Sequence, residues 1–198
     1  AGAVIIRPSD DAQHVVASAA PGTTFVFAAG LHRTGGIVAR DGDRFEGETG
    51  AVLTGAVPIY GFTREGDVWV AHVGLARPPT NGAVCEPDAS GQTRETCKLP
   101  EDLYVAGIEQ ERVTRRGDVA PGRWYADYDA GRVYLGADPA DAPVEVATWP
   151  AAFQGPARDV AIRGLVIEKY ASPPQFGAIQ GIAGSGWLVE GNEIRLNH

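Results

Sequence analysis

Two segments near the C-terminus repeat at a fixed interval. Ile162-Arg163-Gly164-Leu165-Val166-Ile167-Glu168 is followed 27 positions later by Val189-Glu190-Gly191-Asn192-Glu193-Ile194-Arg195. An apolar-charged-glycine signature kept in register over 27 residues reads as one coil of a β-solenoid, a chain that buries its strands only by stacking each coil on the last. The period also forms charge columns. Arg163 falls over Glu190 and Glu168 under Arg195, about 4.8 Å apart in backbone spacing, and opposite charges on adjacent strands help set register. Asn192 follows a coil glycine and is expected to stack its amide between coils. A third copy, Phe45-Glu46-Gly47, lies 117 residues before Ile162. That exceeds one coil by 90, so an insertion of about this size is expected, with the register after Gly47 drifting by about one residue.

The N-terminus reads as the entrance to such a stack. Ile5-Ile6-Arg7-Pro8 is a short strand, Ser9 or Asp10 caps a helix over Asp11 to Ala20, and Val15, Val16 and Ala19 share its apolar stripe. Pro21-Gly22 turns the chain into the strand Thr23 to Ala28, and the first coil runs through Gly35-Gly36-Ile37-Val38 and Arg44 to Gly55. The insertion has six short strand candidates: Val68–Val73, Asp102–Val105, Gln110–Thr114, Trp124–Asp127, Arg132–Leu135 and Val144–Ala147. Ala106-Gly107 and Asp129-Ala130-Gly131 sit where hairpin turns belong. The expected organisation is a cap and first coil over 1–56, an inserted antiparallel β subdomain over 57–155, and further coils over 156–198. No polar cap follows the strand Glu193 to Leu196, so the chain is expected to be the N-terminal part of a longer protein or to need a partner at that end.

Composition narrows the function classes. A formal charge of −8, from 17 basic and 25 acidic residues, disfavours attachment to nucleic acid or anionic lipid. No apolar run approaches the roughly 18 residues of a membrane span. The start lacks an initiator Met and a basic leader, so a processed or trimmed chain is expected. The two cysteines, Cys85 and Cys97, lie in the polar stretch Asn81–Cys97, which shows no sign of regular structure. A disulfide there would tether a long loop, contribute on the order of 2–3 kcal/mol and imply an oxidising compartment. The alternatives are two free thiols or a metal site, the latter weak because no histidine lies close in sequence.

Four places carry a resemblance to a known group: Pro21-Gly22-Thr23-Thr24-Phe25-Val26-Phe27-Ala28-Ala29-Gly30; Leu103-Tyr104-Val105-Ala106-Gly107; Trp124–Asp127 with Arg132–Leu135; and Val160–Ile167. Together they resemble the right-handed parallel β-helix proteins of the pectate-lyase-like group, specifically carbohydrate-active members with a small β domain interrupting the first coils. The resemblance implies an all-β fold, a right-handed parallel β-helix with a short capping helix, in a secreted or cell-surface protein acting on polysaccharide or oligosaccharide. Glycoside hydrolysis is favoured over lysis. A non-catalytic adhesion or structural module is the alternative from another class, and a subunit assembling through its exposed C-terminal coil is a third.

In that group the substrate groove follows one parallel sheet. The nearest segment here, Gly177-Ala178-Ile179-Gln180-Gly181-Ile182-Ala183, has no acid or base, so Gln180 is its one polar contact and the catalytic carboxylates are expected beyond His198. Trp69, Trp124, Tyr125 and Trp149 are candidates for stacking on sugar rings, with Trp124 and Tyr125 foremost, against the alternative of core packing. Asp127 and Asp129 are two apart, like a hydrolase pair on one strand face, but flank a turn that takes up aspartate oxygens. Asp41-Gly42-Asp43 has too few carboxylates for calcium and reads as a solvated turn; no cofactor is implied. His14, His32 and His72 read as structural, and His198 is terminal.

Overall fold

The computed structural model describes residues 2–78, 85–87, 89–91 and 95–198. The chain is predominantly β, with one α-helix, and divides into two compact units: residues 1–56, 149–172 and 176–198 in one, 57–148 with 173–175 in the other.

The first unit holds three all-parallel sheets. The first sheet stacks Val4–Ile6, Thr24–Phe27, Arg44–Gly47, Ala161–Arg163 and Leu188–Glu190; the second stacks Gly30–Arg33, Ala51–Thr54, Val166–Glu168 and Glu193–Arg195. The third sheet contains Ile37–Val38, Phe153–Gln154 and Ile179–Gln180. Alternation decides which side chains enter the core. In the first sheet Phe25 pairs with Phe45, Phe45 with Ile162, and Ile162 with Val189. Phe25, Phe45 and Ile162 are fully buried. The Phe25 and Phe45 rings stack at 5.3 Å and Phe45 meets Phe153 at 4.7 Å, joining the first sheet to the third through aromatic contact.

The repeat appears as strand register. Ile162 aligns with Val189 and Val166 with Glu193, both at the 27-residue offset, and Arg163 Nε donates to Glu190 Oε1 at 2.6 Å. Arg195 Nε donates to Glu168 Oε2 at 2.8 Å, completing the second charge column. Asn192 accepts from the Leu165 amide at 3.0 Å and donates to the Ile162 carbonyl at 2.8 Å. Asn197 does the same between Tyr170 and Ile167. The earlier offsets are shorter: Phe25 aligns with Phe45 and Leu31 with Val52, intervals of 20 and 21 residues. Phe45 aligns with Ile162 across 117 residues but Val52 with Val166 across 114, so the drift after Gly47 is three residues rather than one. The corner between Glu46 and Val52 is longer than that between Arg163 and Val166 and takes up the difference.

The helix spans Ala12–Ser18, shorter than expected, and Asp11 rather than Ser9 or Asp10 is its N-cap, accepting the His14 amide at 3.0 Å. Asp10 instead accepts the Arg7 amide, which turns the chain out of the first strand. Ala12 and Val16 are buried. The helix end is held by Arg40, whose guanidinium donates to the carbonyls of Val16 and Ala19, both at 2.5 Å. A cation here satisfies carbonyls that the helix leaves open.

The second unit is built on one sheet in the order Ala56–Ile59, Val144–Ala147, Leu103–Val105, Ile108–Arg112, Arg123–Asp127, Arg132–Leu135, Val68–His72, Thr63–Glu65. Ala56–Ile59 and Thr63–Glu65 add to the six expected strands. Nor is the sheet wholly antiparallel, since Glu111 pairs with Arg123 in parallel. The intervening segment, with its 3₁₀ turn Arg116–Asp118, carries the chain back to the same end of the sheet. Ala106 (φ 49°) and Gly107 (φ 78°) form the expected two-residue hairpin, a turn with positive φ at both central positions. Cys85 and Cys97 form the disulfide, with Cα atoms 5.9 Å apart. Of the stretch Asn81–Cys97 read as irregular, residues 81–84, 88 and 92–94 lie outside the described residues, and a 3₁₀ turn, Glu95–Lys98, closes it.

Candidate functional site

The third parallel sheet of the first unit divides its residues cleanly. Ile37 and Phe153 align and are fully buried, and Ile179 packs against the same core. The alternate positions Val38, Gln154 and Gln180 therefore form an outward column. Gln154 Nε2 lies 3.5 Å from the Gly36 carbonyl, and Gln180 Nε2 donates to the Pro150 carbonyl at 3.3 Å. Among the described residues neither glutamine oxygen takes a donor, so each can accept from a ligand hydroxyl.

Trp149 borders this column. It is 43% exposed, and its backbone is fixed by its own amide donating to the Gly55 carbonyl at 3.2 Å and its carbonyl accepting the Ala171 amide at 2.8 Å. The indole lies against Gly35 and Gly36. A Cβ on Gly35 would fall 2.6 Å from the Trp149 Cβ, so only glycine permits this approach. Beneath, Tyr170 is fully buried and its hydroxyl donates to the Thr34 carbonyl at 2.7 Å. Burial pushes that phenol far above the ordinary tyrosine range, so it serves as a fixed neutral donor.

An exposed indole beside two primary amides can stack on the apolar face of a sugar ring and exchange hydrogen bonds with its hydroxyls. It cannot move a proton, since neither side chain titrates near neutral pH. The six residues of this sheet include no acid or base.

The other candidates fall elsewhere. Trp124 is fully buried in the second unit, with the Arg112 guanidinium 4.7 Å from its ring centroid, so it is core and not a sugar platform. Tyr125 is half-buried and lines a cavity in that unit. Asp127 accepts the Ala130 amide at 3.0 Å and holds its turn, as its position suggested; Asp129 is exposed beside it. Asp43 is no solvated turn residue: it is fully buried and its carboxylate accepts the Gly22, Thr23 and Arg40 amides. Asp41 accepts the Arg158 amide at 2.8 Å. His32 is buried against the Ala28 carbonyl, His72 is paired in a strand, and His14 rides on the helix.

Sequence reasoning placed Gln180 and included Trp149 among the aromatic candidates, but missed Gln154. The signal was available in Phe153-Gln154, an apolar-polar alternation next to Trp149. It also missed a buried cluster in which Arg112 Nη1 pairs with Glu101 Oε2 at 2.9 Å while the Tyr128 hydroxyl donates to the same carboxylate at 2.9 Å.

No protein-family profile matches the chain, and no curated protein matches it. Two solved structures are similar. One is the complex structure of XylC with xylose, at a TM-score of 0.73 and 18% identity, covering 93% of this chain and 37% of that one. The other is a glycoside hydrolase, at a TM-score of 0.50 and 15% identity, covering 86% of this chain and 51% of that one. The likeness is one of fold, and the chain spans little more than a third of XylC.

Proposed function

We propose that this chain is part of a secreted or cell-surface polysaccharide-active protein, a right-handed parallel β-helix with an inserted β subdomain. It acts as a glycoside hydrolase whose catalytic carboxylates lie on coils beyond His198. The carrying observation is the fold likeness over 93% of the chain to a protein whose structure holds xylose. Fold alone is an analogy for function. Support from the chain itself comes from the face formed by Trp149, Gln154 and Gln180, which offers ring stacking and amide contacts but no acid. Its part in catalysis is to hold and orient a sugar residue while acids from elsewhere do the chemistry. The Cys85–Cys97 disulfide agrees with an oxidising compartment.

The test compares the longest natural polypeptide containing this chain with its Trp149→Ala and Gln180→Ala variants on xylo-oligosaccharides. Release of reducing ends that drops about tenfold or more in either variant, with folding retained, supports the reading. Cleavage giving unsaturated products replaces hydrolysis by lysis. Binding without any cleavage selects an adhesion module instead.

A further inference from the structure

The second unit contains a cavity of about 360 Å³, at the small end of ligand-site volumes. Among the described residues its polar lining consists of Arg77, Lys98, Arg112, Thr114, Tyr125 and Tyr128, with no carboxylate among them. The three cations differ in how far their charge is already matched. Arg112 is spent on structure: its side chain is 6% exposed, paired with Glu101 at 2.9 Å, and it also donates to the Glu101 backbone carbonyl at 2.8 Å and to the Tyr128 hydroxyl. Arg77 and Lys98 form no ion pair among the described residues. Arg77 sits with its guanidinium carbon 5.0 Å from the centroid of the Tyr128 ring, which orients the cation while leaving its donors for a ligand. Lys98 is held between two tethers. Cys97, next to it, is fixed by the disulfide, and the carbonyl of Leu99 accepts from Arg112 Nη1 at 3.3 Å.

From this arrangement we propose that the cavity is a binding site for an acidic sugar. The carboxylate would meet Arg77 and Lys98, and the ring would lie against Tyr125, with the Thr114 hydroxyl available to a sugar hydroxyl. Charge separates this from a site for neutral sugar. Two cations lining a cavity whose described residues include no carboxylate favour an anion, and a charge-assisted contact is worth roughly twice a neutral one. The aromatic wall separates it from a simple anion site, because a small inorganic anion gains nothing from a ring face. The cavity belongs to a different unit from the face around Trp149, and its ligand is independent of the catalytic assignment.

The test titrates the chain with glucuronate, with xylose as the uncharged counterpart and inorganic phosphate as the anion without a ring, following the tyrosine ring resonances by NMR. Glucuronate is expected to perturb Tyr125 and to bind about tenfold more tightly than xylose. Arg77→Gln and Lys98→Gln are each expected to weaken it about tenfold, and added salt to weaken it further. Both positions are at least partly open to solvent, so the variants retain the fold, which an unchanged thermal midpoint verifies. Equal binding of xylose overturns the role of charge. Phosphate binding as tightly as glucuronate overturns the sugar, and unchanged affinity in both variants overturns the site. Loss of Trp149 leaves this binding intact, so failure here and failure of the proposed catalytic role are told apart.

Discussion

Asp43 is the residue on which the corner of the first unit depends. Its carboxylate is fully buried: Oδ1 accepts the amides of Gly22 at 3.0 Å and Thr23 at 3.2 Å, and Oδ2 accepts that of Arg40 at 3.0 Å with the Arg40 Nε 3.6 Å away. Its backbone carbonyl accepts the Ala161 amide of the next strand at 3.0 Å. One side chain therefore joins the turn before the second strand of the first sheet to the turn before the third. Asp43→Ala leaves three backbone donors without their acceptor and removes the counter-charge beside Arg40, whose guanidinium keeps the Val16 and Ala19 carbonyls. Each hydrogen bond to a charged group contributes about 1.5–3 kcal/mol, the losses do not add fully because water reaches part of the opened corner, and the expected cost is about 3–5 kcal/mol. Asp43→Asn keeps one oxygen for Gly22 and Thr23 but turns an NH₂ toward the Arg40 amide, for an expected cost of about 2 kcal/mol. With a urea slope near 2 kcal/mol/M, the alanine variant should move the midpoint of the first unit down by about 1.5–2.5 M and the asparagine variant by about 1 M. The transition of the second unit should stay in place. A shift below about 0.5 M for Asp43→Ala would refute the three-donor account. Equal shifts for the two variants would show that the charge alone, and not the geometry of acceptance, is what matters.

Further outcomes follow from the same contacts. Arg163→Ala should cost no more than about 1 kcal/mol in urea unfolding, since the pair is 39% and 54% exposed. Glu168→Ala should cost more, about 2–4 kcal/mol, because that carboxylate is 9% exposed and faces both Arg195 at 2.8 Å and Lys169 at 3.8 Å. In alkaline titration, burial pushes the Tyr128 phenol up from 10.0 to about 12 and raises Tyr170 further. The folded state thus keeps protons that the unfolded state releases, and stability present below pH 10 falls as pH rises from about 10 toward 12. Both tyrosines should stay out of the tyrosinate absorption band until the chain unfolds. Reducing Cys85–Cys97 should destabilise the second unit by about 2–3 kcal/mol and, by freeing Lys98, weaken glucuronate binding as much as Lys98→Gln does.

What the sequence made legible is what periodicity encodes. The 27-residue register, both charge columns and the Asn192 amide link could be read because a parallel stack places the same position of successive turns side by side, so sequence distance becomes spatial adjacency. The two-residue hairpin at Ala106-Gly107 was legible for a local reason, its demand for positive φ. What escaped depends on contacts that no period predicts. Asp43 reads as a solvated turn residue because Asp-Gly-Asp usually is one; it is buried because Gly22 and Arg40, distant by 21 and 3 residues, aim their amides at it. Trp124 reads first as core and second as a platform, and what settles its place is full burial with Arg112 of a neighbouring strand over its ring.

The candidate site follows from how the outward positions of the three parallel sheets are used. On the first sheet they carry Arg163 against Glu190, and on the second Glu168 against Arg195, so opposite charges satisfy one another and hold register. A ligand meeting either pair would have to compete with an existing ion pair. On the third sheet the same positions carry Val38, Gln154 and Gln180, which have no charge to neutralise, and the two glutamine side-chain oxygens take no donor among the described residues. A neutral polyol displaces only water from such a column, and the adjoining indole supplies the apolar contact that makes the exchange favourable. Recognition is therefore expected on the third sheet for the same physical reason that register is fixed on the other two: stacked strands repeat one side chain above another, and a repeated charge must be paired whereas a repeated amide need not be.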